Sequence, residues 1–152
     1  MPGNVVEQPA GPDVLVVEAE CPDATPASVF TYWIQPELLT LWWPRVAELD
    51  VRVRGAYHLA WPPNDWHLRG RYTAVEPGEQ LAFTWCWDGD VEADETDVNA
   101  RFAPLPGGGT RLTLTHGPYD ESEAASVMRR GHLDGWRHFL LRLGEALESA
   151  RS

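Results

Sequence analysis

The order of apolar and polar positions along the chain predicts a strand, two short helices, six more strands and a long helix. The segment Asp13–Glu20 is rich in β-branched residues and predicts the first strand. Thr25 followed by Pro26 is typical of a helix N-cap and first helical position. A second short helix is predicted over Glu37–Trp43, ended by Pro44, because the residue before a proline disfavours the helical conformation.

From residue 46 onward, apolar side chains alternate with polar ones, which is the period of a strand with one buried face. Glycine, proline and acidic residues separate the alternating segments. The predicted strands are Val46–Val53, Ala56–Trp61, Leu68–Val75, Leu81–Trp87, Thr96–Phe102 and Thr110–His116. Strands that follow one another through short turns pair antiparallel, so we predict a curved antiparallel sheet of about seven strands.

The last segment carries an apolar stripe at helical spacing. Leu133, Trp136, Leu140, Leu143 and Leu147 step by three and four residues, which predicts a helix of about 25 residues with one buried face. This helix is the only predicted element long enough to cover the sheet. We therefore predict an α+β fold in a single domain over residues 13–152, preceded by a flexible tail over residues 1–12.

Charge narrows the classes of partner. The chain of 152 residues has 23 acidic and 12 basic residues, a net charge of -11, and every basic residue is arginine. Such a balance argues against binding to nucleic acid phosphates or to anionic lipid. No secretory signal and no membrane-spanning run is visible, which predicts a cytoplasmic protein.

The motifs for metals, cofactors and nucleophiles are missing. Cys21 and Cys86 lie far apart and fit neither a disulfide framework nor a zinc site. The acidic segment 88–94 begins like a calcium loop, but Ala93 and Asn99 stand where that loop needs glycine and glutamate. The glycines at 107–109 precede a strand, whereas a phosphate cradle precedes a helix. We predict no metal and no cofactor.

Five segments resemble one known family. They are VEAECPDATPASVFTYWIQPELLTLWWP, RGAYHLAW, LRGRYTAVEPGEQLAFTW, GGTRLTLTHGPY and HLDGWRHFLLRLGEAL. Their order resembles the START-like (SRPBCC) superfamily and, within it, the homologues of the heat-shock-protein ATPase activator. The resemblance implies a helix-grip fold, in which the sheet wraps around the C-terminal helix, and a pocket for a small apolar molecule. Arg54 departs from the family pattern, which often has glycine there.

The alternation of apolar and polar residues along the strands predicts which side chains point into the interior. Aromatic rings dominate this inward face of the sheet. A pocket of this kind would bind a hydrophobic or aromatic molecule and orient it through one or two hydrogen bonds. The predicted ligand-binding residues are Trp43, Tyr57, Leu59, Trp61, Tyr72, Phe83, Trp85, Leu114, His116, Trp136 and Leu140. The alternative is that these side chains simply fill a solid core.

His116 shares the inward face of Leu112 and Leu114 and has two readings. It is either a ligand anchor or a structural histidine bonded to a backbone carbonyl near Gly117. The other histidines are expected to be ordinary surface or flanking residues, without a carboxylate or second histidine at ligand spacing. No catalytic residue is assigned.

Two glycines of the long helix, Gly131 and Gly135, lie four residues apart. They either leave room for a ligand or allow close approach of Trp42 or Trp43, and the second reading is slightly preferred.

Three functions remain open. The leading one is a small-molecule binding protein. A cyclase-like or dehydratase-like enzyme would need His116 together with Tyr57 or Tyr72 to move a proton. An interaction module, such as a homodimer or a chaperone partner, would expose Trp42 and Trp43 as an apolar patch.

Overall fold

The computed structural model describes residues 5–89 and 95–151. Within these residues, the elements in chain order are β1 (Val5–Gln8), β2 (Leu15–Cys21), α1 (Pro26–Ile34), α2 (Pro36–Leu39), β3 (Val46–Leu49), β4 (Ala56–Ala60), β5 (His67–Glu76), β6 (Gln80–Trp87), β7 (Thr96–Pro104), β8 (Thr110–Gly117) and α3 (Glu123–Arg151). The predicted α+β class, with a curved antiparallel sheet and a long C-terminal helix, is confirmed.

The strands form one sheet in the order β1-β2-β8-β7-β6-β5-β4-β3. Every neighbouring pair is antiparallel. The register shifts in the β5–β6 pair between Tyr72 and Ala74, and an irregularity of this kind bends a strand. The four-residue strands β1 and β3 are the two edges of the sheet.

The eighth strand lies inside the segment predicted to be a flexible tail. Val5 pairs with Ala19 and Gln8 pairs with Val16. Arg129 of α3 fixes this edge: its guanidinium donates to the Val14 carbonyl and forms an ion pair with Glu7 at 3.0 Å. The tail prediction is therefore wrong for residues 5–8, because the segment has no apolar alternation of its own and is held by β2 and by one arginine.

The N-terminus of α1 follows the predicted capping pattern. Thr25 has an extended backbone, and its hydroxyl accepts a hydrogen bond from the Ser28 amide at 3.2 Å. The second helix is shorter than predicted. Thr40 ends it by donating its hydroxyl proton to the Pro36 carbonyl at 2.9 Å, and the chain then reaches Trp43 through hydrogen-bonded turns.

Strand β3 ends at Leu49, four residues earlier than the alternation predicts. The chain turns tightly here: Arg54 has a positive φ of 73°, and a Cβ on Gly55 would lie 1.9 Å from the Asp50 carbonyl oxygen. Only glycine fits the second position, and the first is the position where the family pattern often has glycine. Residues 50–55 therefore form a turn between β3 and β4, and Arg54 and Gly55 are hydrogen-bonded to Tyr72 of β5.

Helix α3 buries the predicted stripe against the sheet and the short helices. Leu133, Trp136, Leu140, Leu143 and Leu147 are all buried and belong to one core cluster with side chains from β2, β6, β7 and β8. Amphipathic spacing therefore located the helix face correctly. No helix in residues 5–89 or 95–151 is both long and apolar enough to span a bilayer.

The N-cap of α1 gives a direct test of this local structure. Replacing the exposed Thr25 with alanine leaves the Ser28 amide without its acceptor, which we expect to lower the free energy of unfolding by about 0.5–2 kcal/mol. Thr25→Ser keeps the hydroxyl and should stay close to wild type. Urea denaturation of the three proteins measures the difference, and equal stability of the alanine and serine variants would contradict the assigned cap.

Candidate functional site

An aromatic cleft of about 450 Å³ lies between α3, the β6 strand and the loop that joins β4 to β5. We call it the Trp pocket. Its lining residues are Trp43, Trp61, Asp65, Trp66, His67, Trp85, Trp87, Asp88, Gly131, His132, Gly135, Trp136 and Phe139. Six of the chain's eight tryptophans are in this set. Asp65 and Trp66 are exposed, so the loop before β5 forms the mouth.

One wall of the Trp pocket is a packed group of three indole rings. Trp43 stacks on Trp85 with ring centroids 5.8 Å apart, and it lies 5.1 Å from Trp136. Trp61 extends the wall, because its indole N–H donates to the Trp43 carbonyl at 3.1 Å and its ring lies 5.4 Å from that of Trp87. These five tryptophans pack against one another, which leaves their rings little freedom for rearrangement.

The opposite wall is a glycine-lined face of α3. Gly131, Gly135 and Phe139 are spaced four residues apart and therefore share one side of the helix. A Cβ added at either glycine would have no neighbouring heavy atom within 4 Å. The expectation that these glycines allow close approach of Trp42 or Trp43 is wrong, since open space lies beside them. That space is part of the Trp pocket.

Four predicted ligand-binding residues lie behind the wall and not in the cleft. Tyr57, Leu59, Tyr72 and Phe83 surround a void of about 10 Å³, close to the smallest volume that holds one water. Tyr57 donates its hydroxyl proton to the Thr84 carbonyl at 2.6 Å, and burial raises its pKa. These side chains point inward as predicted, but the interior is filled at this end.

Three further predicted residues are core side chains. Leu114, His116 and Leu140 are buried, and none lines the Trp pocket. The remaining four, Trp43, Trp61, Trp85 and Trp136, do line it. Sequence analysis thus identified the tryptophans of one wall of the cleft, but the other seven residues that it assigned to the site lie behind that wall, in the core.

His116 uses both ring nitrogens within the protein. The Trp136 indole N–H donates to Nδ1 at 3.0 Å, so Nδ1 carries no proton and Nε2 is the protonated nitrogen that donates to the Thr96 hydroxyl at 2.8 Å. Burial is the main cause that lowers the pKa of His116 well below its usual value, with His132 adding to the effect. His116 is therefore a structural histidine, bonded to two side chains and not to the backbone carbonyl expected from the sequence.

The proton-transfer set considered from the sequence is not brought together. The rings around His116 belong to Trp85, Tyr119, His132 and Trp136. Tyr57 and Tyr72 instead pack against each other and against Phe83.

His132 is the pocket histidine that sequence reasoning missed. Its ring stacks on His116 at 4.2 Å, and its Nδ1 shares a hydrogen bond of 2.7 Å with the Tyr119 hydroxyl. Burial lowers the pKa of His132 to about 4, so the imidazole is neutral at neutral pH. The sequence did contain a signal that His132 lines the pocket. The residue directly follows Gly131 and lies four positions, about one helical turn, before Trp136.

At the mouth, a chain of four polar side chains crosses the sheet. His58 Nε2 lies 2.7 Å from His67 Nδ1, and the outer nitrogens contact Glu48 and Asp65, each at 2.9 Å. Sequence spacing did not indicate these contacts, because the antiparallel pairing of β4 with β5 is what makes His58 and His67 diagonal neighbours on the sheet. Across residues 5–89 and 95–151, no group of three such side chains has an arrangement that holds a metal ion.

Asp88 is the part of the acidic segment that reaches the site, where it forms an ion pair with Arg69 at 2.9 Å. The other acidic residues of the predicted loop, Asp90, Glu92 and Asp94, lie outside the described residues.

Together, the wrapped sheet, the gripping helix and the cleft between them define a helix-grip protein of the START-like (SRPBCC) superfamily. A family model described as Activator of Hsp90 ATPase homolog 1-like protein matches residues 23–148, and the chain belongs to this family. No curated protein matches the sequence.

Solved structures share this fold at low sequence identity. Protein MLL2253 from Mesorhizobium loti is 22% identical, with a TM-score of 0.78 over 90% of this chain and 97% of that one. Protein CV1439 from Chromobacterium violaceum is 24% identical, with a TM-score of 0.72 over 90% and 98%. The Aha1 dimer from Colwellia psychrerythraea is 15% identical, with a TM-score of 0.72 over 91% and 98%. These similarities establish the fold.

The neutral state of His132 leads to a pH-dependent prediction. The unfolded chain protonates this imidazole below pH 6.5, whereas the folded protein does so only near pH 4. Its contribution to stability is therefore complete above pH 6.5 and is lost as the pH falls toward about 4. We expect His132→Gln to make the unfolding free energy fall less steeply over this range, by up to about 1.4 kcal/mol per pH unit.

Urea denaturation at several pH values checks this slope. His138→Gln, at an exposed position of the same helix, is the matched control. A profile for His132→Gln that runs parallel to wild type would show that this histidine does not couple folding to pH.

Proposed function

We propose that this protein binds a small hydrophobic or aromatic molecule in the Trp pocket. The observation that carries the proposal is a cleft of about 450 Å³ walled by tryptophans on one side and by two glycines with open space on the other. This volume lies within the range of roughly 300–1,000 Å³ found for small-molecule sites. The glycines support the proposal further, since each costs about 1 kcal/mol inside a helix relative to alanine.

Two polar atoms of the lining residues have no hydrogen-bond partner within the described part of the chain. The Nε2 atom of His132 has no hydrogen bond to any described residue, whereas its Nδ1 is occupied by Tyr119. Trp85 lines the pocket, and its buried indole N–H likewise has no partner within the described part of the chain. A flat molecule with one or two polar atoms matches this inventory.

Binding is preferred to a cyclase or dehydratase reaction. The only histidine predicted to move a proton, His116, has both nitrogens engaged and does not line the cleft. His132 does line it, but with a pKa of about 4 it is a weak base at neutral pH.

A cytoplasmic location stays a prediction.

Filling the cleft from the glycine side tests the proposal. We expect Gly135→Leu to weaken binding of the neutral fluorescent probe N-phenyl-1-naphthylamine by at least about tenfold, because the new side chain occupies the space that the probe needs. Gly135→Ala adds only a methyl group and should have a smaller effect. Probe fluorescence during titration gives the affinities.

Asp134→Leu is the matched control, because it adds the same side chain at the neighbouring exposed position outside the pocket lining. Circular dichroism confirms that each variant is folded. If Gly135→Leu binds the probe as well as wild type does, the Trp pocket is not the binding site.

A second candidate property is assembly into a homodimer. The similar structure from Colwellia psychrerythraea is described as a dimer. In this chain Leu41 is an exposed apolar side chain at a groove beside α3, where the Arg142 guanidinium donates to the Leu41 carbonyl at 3.4 Å. The apolar patch that the sequence analysis assigned to such an interface is wrong, because Trp42 and Trp43 are both buried.

For this groove, Leu41→Glu places a charge where a partner copy would pack. We expect the variant to sediment as a monomer at concentrations where wild type sediments as a dimer. Wild type that sediments as a single 17.0 kDa species at all concentrations would rule the dimer out.

A further inference from the structure

The charged groups around the Trp pocket are unequal in sign. Among the residues that the structure describes, two carboxylates, Asp65 and Asp88, line the pocket and no arginine does. The guanidinium of Arg69 on β5 forms an ion pair with Asp88. His132 is neutral, and His67 is paired with Asp65. An anionic ligand would therefore enter the cleft without a free basic partner, on a protein of net charge -11.

Neither carboxylate is held in a buried ion pair. The side chain of Asp65 is 98% exposed, so its contact with His67 is screened by water. The Arg69–Asp88 pair is also largely exposed, with 54% and 45% of the side chains accessible, and exposed pairs of this kind are weak. A cation at the mouth can replace water around either carboxylate without breaking a buried contact.

The tryptophan rings that line the Trp pocket supply a second attraction for a cationic ligand. The faces of indole rings carry negative electrostatic potential, and tryptophan gives the strongest cation–π interactions among the aromatic residues. Trp66 is 58% exposed at the mouth, so much of its indole ring is accessible to a ligand. Six tryptophans around one cleft with acidic groups at its entrance resemble, in composition, the aromatic cages that bind organic ammonium ions.

We propose that the Trp pocket selects an organic cation, either a quaternary alkylammonium or a positively charged aromatic molecule, over neutral and anionic molecules of the same shape. This inference rests on the proposed function, since it names the chemical class bound at the same site. The apolar rings bury the body of the ligand, and the indole faces with Asp65 and Asp88 hold its charge.

Three probes of matched shape separate charge from apolar contact. Phenyltrimethylammonium is positively charged, tert-butylbenzene is its neutral isostere, and benzenesulfonate is an anion of similar size. Each is measured by displacement of N-phenyl-1-naphthylamine and by quenching of intrinsic tryptophan fluorescence. We expect the cation to bind at least about fivefold more tightly than the neutral isostere, and the anion to bind most weakly.

Variants assign the effect to named groups. The double variant Asp65→Asn with Asp88→Asn should lower the affinity for the cation severalfold and that for tert-butylbenzene much less. Trp66→Leu keeps an apolar side chain without a π face, so it should also lower the affinity for the cation more than that for tert-butylbenzene. Asp97→Asn removes one exposed charge on β7, outside the pocket lining, and is the control.

The outcomes distinguish this inference from the proposed function. If tert-butylbenzene or benzenesulfonate displaces the probe as well as the cation does, charge selection is overturned while binding in the cleft stands. Equal losses for cation and neutral isostere in the variants also overturn it. If N-phenyl-1-naphthylamine itself does not bind wild type, the proposed function fails and this inference fails with it.

Discussion

Trp43 contacts aromatic side chains from each layer of the fold, and this packing decides where the molecule is solid and where it is open. Its ring lies 6.0 Å from Trp33 of α1, 5.1 Å from Trp136 of α3 and 5.8 Å from Trp85 of β6. It also lines both the 10 Å³ void and the 450 Å³ cleft. The turn that follows α2 is therefore part of the site, because it carries Trp43, which separates a filled interior from an accessible cleft.

Much of the fold followed from periodicity and turn chemistry, since both are local. Alternation gave six strands after the short helices, and the stripe from Leu133 to Leu147 gave the face of α3. Strand β1 was missed because its stability comes from pairing with β2 and from Arg129, a residue more than one hundred positions away. A contact between residues this far apart in the chain leaves no trace in the local pattern of apolar and polar residues.

The site was harder to predict because alternation gives the direction of a side chain but not the distance to the opposing layer. Tyr72 and Trp85 both face inward, yet only Trp85 reaches open space. The residues that best indicated the position of the cleft were two glycines of α3. Gly131 and Gly135 interrupt a helix that would be more stable with alanine, and the space beside them is the cleft. His132, between these glycines, was judged from its spacing to other histidines, whereas its burial against Tyr119 and His116 is what defines its chemistry.

Strands β1 and β3 stand at the two margins of an otherwise continuous eight-stranded sheet, and each has only four residues. An unpaired margin invites another chain to add a strand, and short margins give such a chain few backbone groups to join. Arg129 ties one margin down through Glu7, and the tight turn with Arg54 and Gly55 cuts the other short. The two features that confine the ends of the sheet thus leave few backbone groups at which another chain could add a strand.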